Sequence, residues 1–448
     1  MKNARSAIKP LLALLLIATC AHAHSATPVP AAGDKLPANE VAALSDDDIA
    51  DAYVYLLGRL LVLRQQRQDF EQDGLAWNRL VHREPGAVAW ANPNLDVAYS
   101  EAWVAVDERT CVEVDIPPMP GRYFTWHMLN GWGETVLNIN ERTYPRRSSG
   151  RYALCLQGAA VATPADALRI DLPGRTARVL ARVELGSDAK EAVRLQRRIT
   201  LSPLGQPKID PLVQAPSFTF SKLPGAEAFD NASAILASEA DINPGMATLQ
   251  AHVRQAEALV RSGEQGRARV EQVIRERAVP GFGKMRASVG RIQDGWAQPV
   301  LGNYGSDYRT RTVANMAGIW ANNGSEYVGY AARGLDGNAV YTQTFPRDAL
   351  PRDQVRYFWS VTAVDSQRYL VIPNPLQRYQ LNERSGLNYN ADGSLTIVYA
   401  ARKPAQPADA NWLPTPEGGK FNLSFRLYGA NEQAQEGKYF PPALVKLP

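Results

Sequence analysis

The 448-residue chain is poor in the residues that most often carry recognisable chemistry, with three cysteines, five histidines and six methionines. Beyond residue 23 the histidines are His24, His82, His127 and His252. No two of them stand at ligand spacing on one element and no cysteine joins them, so no metal centre is expected. The chain has no Gly-x-Ser-x-Gly elbow and no reactive-cysteine signature. Gly281–Phe282–Gly283 lacks both the strand-to-helix setting and the following Lys-Ser/Thr of a phosphate loop. No cofactor is therefore expected. Charge of one sign is lacking too: Lys plus Arg number 49 and Asp plus Glu 45. Residues 1–23 hold Lys2, Arg5 and Lys9 and no acid, so the remainder is close to neutral. That balance argues against a nucleic-acid partner or an anionic membrane surface. No segment after the N-terminus is apolar enough to span a bilayer.

What is present begins with a secretory signal. A basic n-region precedes the short apolar run Leu11 to Ala18, and Ala21-His22-Ala23 is a small-x-small cleavage site. Cleavage after Ala26 is an alternative. Cys20 sits where a lipoprotein signal would place it, but Thr19 before it is a poor match, and lipid anchoring is not expected. The expected location is periplasmic or secreted. Residues 1–23 are read as signal peptide and 24–43 as a flexible, Pro/Ala-rich leader.

Ser45 has the character of a helix N-cap, with Asp46, Asp47 and Asp48 in a first turn that favours negative charge. Leu56, Leu57, Leu60, Leu61 and Leu63 then repeat at helical spacing, predicting an amphipathic helix docked against a sheet. From about residue 84 short apolar alternations separated by turns predict strands: Val112, Val114 and Ile116, then Arg122 to Met128. Residues 228–295 read mostly as helix, punctuated at Gly263 and at Pro280–Gly281. Strand patterning returns near Val340 and continues to the end. The fold class expected is mainly β with α: two β-sandwich or jelly-roll-like domains joined by a helical connector. The boundaries are 44–205 for the first domain with its N-terminal helix, 206–300 for loop and connector, and 301–448 for the second domain. Cys111 and Cys155 each lie in a strand-like run. In an oxidising compartment they can form a disulfide; the alternative is two unpaired buried thiols.

The two β blocks look related. Arg122–Tyr123–Phe124 is echoed by Arg356–Tyr357–Phe358, Asn130 by Asp365, Arg142 and Tyr144 by Arg378 and Tyr379, and the run Asn92 to Asp96 by Asn322 to Glu326. Duplication of one β-domain is the preferred explanation.

The C-terminal blocks Phe358–Trp359–Ser360, Pro373–Asn374–Pro375, Arg378–Tyr379, Ala391 to Thr396, Asn411 to Pro414 and Arg426 to Gly429 closely resemble the bacterial domain of unknown function 1214. The first block resembles the domain of unknown function 1254 through Ala52 to Tyr55, Asn92 to Asp96, Tyr99–Ser100, Glu113–Val114 with Pro117, Arg122–Tyr123 and Leu201 to Leu204. Where that family often has Asp, this chain has Asn130. The resemblance implies a secreted, β-rich, two-part protein and brings no reaction, cofactor or catalytic residue.

One polar and aromatic constellation remains. On a strand, Arg122, Phe124 and Trp126 share one face and Tyr123, Thr125 and His127 the other. The first face could offer Arg122 and Trp126 to a carboxylate or sugar, with Asp96 near by. Asp365 and Arg378 are the expected counterparts in the second block. The other face, with Tyr123, His127 and Glu134, supplies the candidate catalytic groups. The bland alternative is that Phe124 and Trp126 are core and that Arg122 ties down a carboxylate. The leading functional expectation is a protein that binds a small molecule or glycan in an Arg- and aromatic-lined cleft. The alternatives are a hydrolase or isomerase with a dispersed His/Asp/Glu/Tyr site, and a structural assembly subunit that forms homo-oligomers.

Overall fold

The computed structural model describes residues 44–86, 93–405 and 409–448; the expected signal peptide, its cleavage site, Cys20 and the leader lie outside them. Helix α1 (Asp46–Glu71) opens on a capping box, in which the Asp48 amide donates to Ser45 Oγ and the Ser45 amide to Asp48 Oδ2, both at 3.1 Å. Its surroundings differ from the one-faced packing the leucine spacing predicts. Residues 52–63 are buried all round, because helices cover most of the circumference and Val62 meets Trp103, Leu129 and Leu180 of a sheet.

Strands β1 (Val81–His82), β2 (Val97–Ala105), β3 (Cys111–Ile116), β4 (Phe124–Leu129), β5 (Thr135–Ile139), β6 (Gly150–Leu156), β7 (Leu168–Leu172) and β8 (Thr176–Glu184) lead to α2 (Ala189–Gln196) and β9 (Thr200–Leu204). The connector holds α3 (Ala232–Ala237), α4 (Ala247–Arg261), α5 (Glu264–Val273), a π-helical turn and α6 (Val279–Ser288). Gly263 separates α4 from α5 as expected. Pro280–Gly281 does not break the chain: the backbone stays helical from Glu264 to Ser288, and the π-helical turn Ile274–Ala278 directly before Pro280 marks where the helix adjusts. These helices share one apolar cluster with α1 and with α7 (Tyr308–Gly318), so the connector is a packed helical layer. Then come β10 (Arg291–Gln293), β11 (Trp296–Gln298), β12 (Tyr327–Asp336), β13 (Tyr341–Phe345), β14 (Val355–Asp365), β15 (Gln380–Asn382), β16 (Leu395–Ala400), β17 (Trp412–Pro414), β18 (Lys420–Ala430), α8 (Glu432–Gln435) and β19 (Val445–Lys446). Among the described residues no helix is long and apolar enough to cross a membrane.

The strands form two sandwiches of one topology. The first packs the sheet β1-β2-β8-β4-β5 on β7-β6-β3-β9; the second packs β10-β11-β12-β18-β14-β15 on β17-β16-β13-β19. In each, one apolar cluster fills the space between its two sheets. The orders β2-β8-β4-β5 and β7-β6-β3-β9 recur as β12-β18-β14-β15 and β17-β16-β13-β19. Among the described strands, each sandwich also has one parallel pair, β6 with β7 and β16 with β17.

Register fixes the residue correspondence. Tyr99 pairs with Arg182 and Thr125 with Arg182; Gly329 pairs with Arg426 and Ser360 with Arg426. Arg182 and Arg426 are therefore equivalent, as are Thr125 and Ser360. Asp96 and Glu326 stand directly before the first strand of each repeat. The pairs His127–Asn138 and Thr362–Gln380 carry the match to Asn140–Glu141–Arg142 and Asn382–Glu383–Arg384. Two expected pairings are thereby corrected. The counterpart of Arg142 is Arg384, not Arg378. The counterpart of Tyr123 is Phe358, not Tyr357, because an irregularity between Val355 and Phe358 displaces the register.

Cys111 and Cys155 face each other across β3 and β6 and are joined as a disulfide. The same positions in the second sandwich hold Val340 and Ala400, which pack with Trp412.

Candidate functional site

The outer faces of β2, β8 and β4 meet those of β12, β18 and β14. Period-two alternation selects what is presented there. From the first sandwich come Tyr99 and Glu101, Arg178, Leu180 and Arg182, and Tyr123, Thr125 and His127. Phe124 and Trp126 face the other way, into the sandwich core. The Arg122–Trp126 face expected to meet a ligand is thus interior at Trp126. Both faces of this strand are buried, and alternation alone does not tell which one the partner sheet covers.

Three acid contacts cross between the sandwiches: Glu184 meets Arg384, and two others are reciprocal. Glu326 Oε1 accepts from Asn140 Nδ2 and Arg142 Nε, each at 3.0 Å, while Arg142 Nη2 reaches Oε2. Asp96 Oδ1 accepts from Gln380 Nε2 at 2.9 Å and Asn382 Nδ2 at 3.0 Å. Burial pushes the Asp96 carboxyl above its ordinary range, opposed by Ser360, these amides and the charge of Arg426. Aromatic rings fill the seam: Tyr123 sits 5.1 Å from Tyr428 and 5.8 Å from Phe358, and Phe358 stacks on Tyr428 at 4.2 Å.

Beside this seam lies a cleft of about 1150 Å³. Its charged lining is Arg64, Arg83, Arg182, Arg286, Arg333 and Arg426 against Asp73, Glu84 and Glu101. Glu101 is already engaged by Arg83 at 3.1 Å and by Arg178. Cations therefore dominate the wall. Tyr99, Tyr123, Tyr327 and Tyr428 add aromatic surface, and Leu180, Val300, Leu301 and Ile319 an apolar end. A shallower depression of about 490 Å³ at the α4–α5 turn gathers no comparable set of groups.

Arg182 is the central cation. Its Nη1 lies 3.0 Å from His127 Nδ1 and its Nη2 donates to the Trp320 carbonyl at 3.1 Å, with the guanidinium over the Tyr99 ring. A guanidinium has no lone pair to give, so Nδ1 is the acceptor and His127 carries its proton on Nε2, where it donates to Thr135 Oγ1 at 2.9 Å. Burial, reinforced by the charge of Arg182, holds His127 well below the ordinary imidazole range. The ring is neutral, fully buried and engaged at both nitrogens. It orients Arg182 and is not free to act as a base. Tyr99, Tyr123 and Tyr428 surround Arg182, Tyr99 hydrogen-bonds to it, and among the described residues it forms no ion pair with a carboxylate. Tyr123 lines the cleft fully buried, and its hydroxyl has no hydrogen-bond partner.

The remaining sequence candidates lie elsewhere. Glu134 belongs to a buried network with Arg311 at 3.2 Å and Asn243 at 2.6 Å. Arg122 donates to the carbonyls of Glu184 and Leu185, so it ties backbone and no carboxylate. Asp365 accepts from the amides of Gln367, Arg368 and Leu370 and shapes a turn. Arg378 donates to the carbonyls of Asp409 and Trp412 at 2.7 and 3.1 Å. Tyr123, Asp96 and His127 are the candidates found at or directly behind the cleft. Arg182, Arg426 and Tyr99 were missed. For the two arginines the signal was a charge in the middle of a largely apolar, buried strand, Thr176–Glu184 or Lys420–Ala430; Tyr99 carried none.

The fold and cleft define a duplicated double β-sandwich with a cationic, tyrosine-rich interface. Residues 77–203 match the family model described as Protein of unknown function (DUF1254), and residues 325–432 match that described as Protein of unknown function (DUF1214). The chain carries these two domains in this order. Among solved structures it is similar to the VPA0106 protein from Vibrio parahaemolyticus, with a TM-score of 0.63 and 19% identity over 90% of this chain and 100% of that one. A protein from Burkholderia cenocepacia shows 14% identity and a TM-score of 0.44 over 92% of this chain and 99% of that one. The first likeness is one of fold alone. No curated protein matches the chain.

Proposed function

We propose that the protein binds a small acidic molecule, free or as an acidic glycan unit, in the cleft between its two sandwiches. The observation that carries this is Arg182, 7% exposed in the cleft wall and surrounded by tyrosines, a neutral histidine and backbone carbonyls. A buried cation is costly without a counter-charge, and a ligand anion would supply one. Tyrosine faces and the apolar end would receive the uncharged body. A hydrolase built on His127 and Glu134 draws no support, since each is engaged in a separate buried network.

The reading places the protein in the periplasm, on the strength of the N-terminal signal pattern and of the cysteine pair, which suits an oxidising compartment. Mature protein recovered from that compartment should begin at His24 or Thr27.

Thermal denaturation against a panel of aromatic carboxylates, uronic acids and neutral sugars tests the binding. A true ligand at a hundredfold excess over Kd stabilises by about 2.7 kcal/mol. The upshift should be restricted to acids and absent in Arg182→Met. A panel in which neutral sugars alone stabilise the protein, equally in Arg182→Met, would contradict it.

A further inference from the structure

Resting on that reading, we infer that the cleft has one buried anion seat, at Arg182 in the N-terminal repeat, and that its ligand places a single carboxylate there. The other arginines of its wall that are unpaired among the described residues, Arg64, Arg286 and Arg333, are partly or fully exposed. The duplication supplies the argument. Each repeat brings a central arginine to the interface, Arg182 or Arg426, and an edge arginine, Arg142 or Arg384. Each receives the acid that precedes the other repeat's first shared strand, Glu326 or Asp96, and the C-terminal repeat receives Glu184 as well. In the N-terminal repeat the incoming Glu326 is taken by the edge arginine through Nε at 3.0 Å and through Nη2. Among the described residues Arg182 is left without a carboxylate. In the C-terminal repeat the edge arginine Arg384 turns instead to Glu184 and lies over the Phe358 ring. The incoming Asp96 then lies among Gln380, Asn382 and Arg426. The divergence traces to one equivalent pair. Glu184 pairs with Tyr123 by backbone, and its register counterpart is Tyr428, which offers Arg142 no second acid.

The surroundings of Arg182 suit a carboxylate. Tyr99 stands directly opposite it on β2, and Tyr123 is its diagonal neighbour on β4, on the same face. Tyr123 lines the cleft, and its buried hydroxyl has no hydrogen-bond partner among the described residues. Arg83, which also lines the cleft, has an unpartnered Nη2. An acceptor-rich group satisfies these donors together with the guanidinium. His127 and the Trp320 carbonyl hold the fork in place.

Calorimetric titration with matched probes tests the seat. 2-Naphthoate is compared with 2-naphthamide, galacturonate with galactose, and naphthalene-2,6-dicarboxylate with 2-naphthoate. The first two pairs separate a free aromatic acid from a sugar acid. At least one acid should bind at least about tenfold more tightly than its neutral partner. The dicarboxylate should bind no more tightly than the monocarboxylate. Arg182→Gln should abolish the acid preference, and Arg182→Lys should keep the preference at reduced affinity. The wild-type comparison holds even where Arg182→Gln fails to fold. Acids preferred equally by wild type and a folded Arg182→Gln would overturn the Arg182 seat and leave the cleft reading standing. So would a dicarboxylate bound tenfold more tightly than the monocarboxylate. Equal affinity for acids and their neutral partners would overturn both.

Discussion

In the N-terminal sandwich the acid that arrives from the other repeat meets an edge arginine; in the C-terminal sandwich it meets two amides and lies near the central arginine. The strands, their order and their register are the same in both. What differs is the disposal of charge on the outer faces. The comparison separates two kinds of constraint. On the face of the β3–β6 sheet turned away from the sandwich core, and on its β13–β16 counterpart, a small apolar cluster suffices, so Cys111 and Cys155 can stand where the sister repeat has Val340 and Ala400. The facing outer surfaces of the two sandwiches must balance charges across a shared interface, and only the combined set of three acids (Glu326, Asp96 and Glu184) and four arginines has to work. One arginine released from that set lines a cleft.

The comparison can be broken most forcefully at the edge arginines. Arg142→Ala leaves Glu326 fully buried without its partner and should cost about 3–5 kcal/mol in chemical denaturation. Arg384→Ala should cost about 2 kcal/mol, since Glu184 still accepts from the Tyr123 amide at 3.0 Å. Equal costs would remove the asymmetry. Grafting the sister sequence, Cys111→Val with Cys155→Ala, removes a cross-link spanning 44 residues. It should lower stability by up to about 4 kcal/mol, as should reduction of the wild type, while the double variant becomes insensitive to reductant.

Asp96→Asn sharpens the other half. Burial raises the folded pKa of Asp96 above its unfolded value. Its protonated form is thus favoured by folding, and that contribution is full below the unfolded pKa of about 4 and lost as pH rises through the folded one. The stability of wild type relative to Asp96→Asn should therefore fall from pH 4 toward neutrality. The fall is about 1.4 kcal/mol for each tenfold weakening of the acid. A flat difference across that range would contradict the assignment. Arg122→Ala, which loses only bonds to carbonyls, should cost about 1 kcal/mol. Tyr123→Phe should leave stability within about 0.5 kcal/mol, because its hydroxyl has no partner to lose, yet weaken acid binding severalfold. A large drop in melting temperature there would mean that the hydroxyl is structural.

The β-rich class, the helix cap at Ser45 and the pairing of two related blocks were all legible in the chain. So were the residues of both family domains. The alignment of the repeats was misread by one position at Tyr357, since an irregular strand shifts register without leaving a mark in composition. The triplet Asn140–Glu141–Arg142 does recur as Asn382–Glu383–Arg384, and it would have fixed the alignment. The site was less legible. Alternation assigned Tyr123 and His127 to one face correctly, but the opposite face, with Trp126, was the one given to ligand. Which face a sister sheet covers and which another domain covers is decided by tertiary packing. Arg182 sits in an apolar strand and gains its significance from Glu326 choosing Arg142, a contact spanning 184 residues.

A crystal soaked in bromide and measured at the bromine absorption edge tests the central asymmetry most directly, because an anion reports where positive charge is uncompensated. The account predicts an anomalous peak in contact with Arg182, near Tyr99 and Tyr123, and none on Arg426. A peak on Arg426 alone, or peaks of equal height on both arginines, would contradict it.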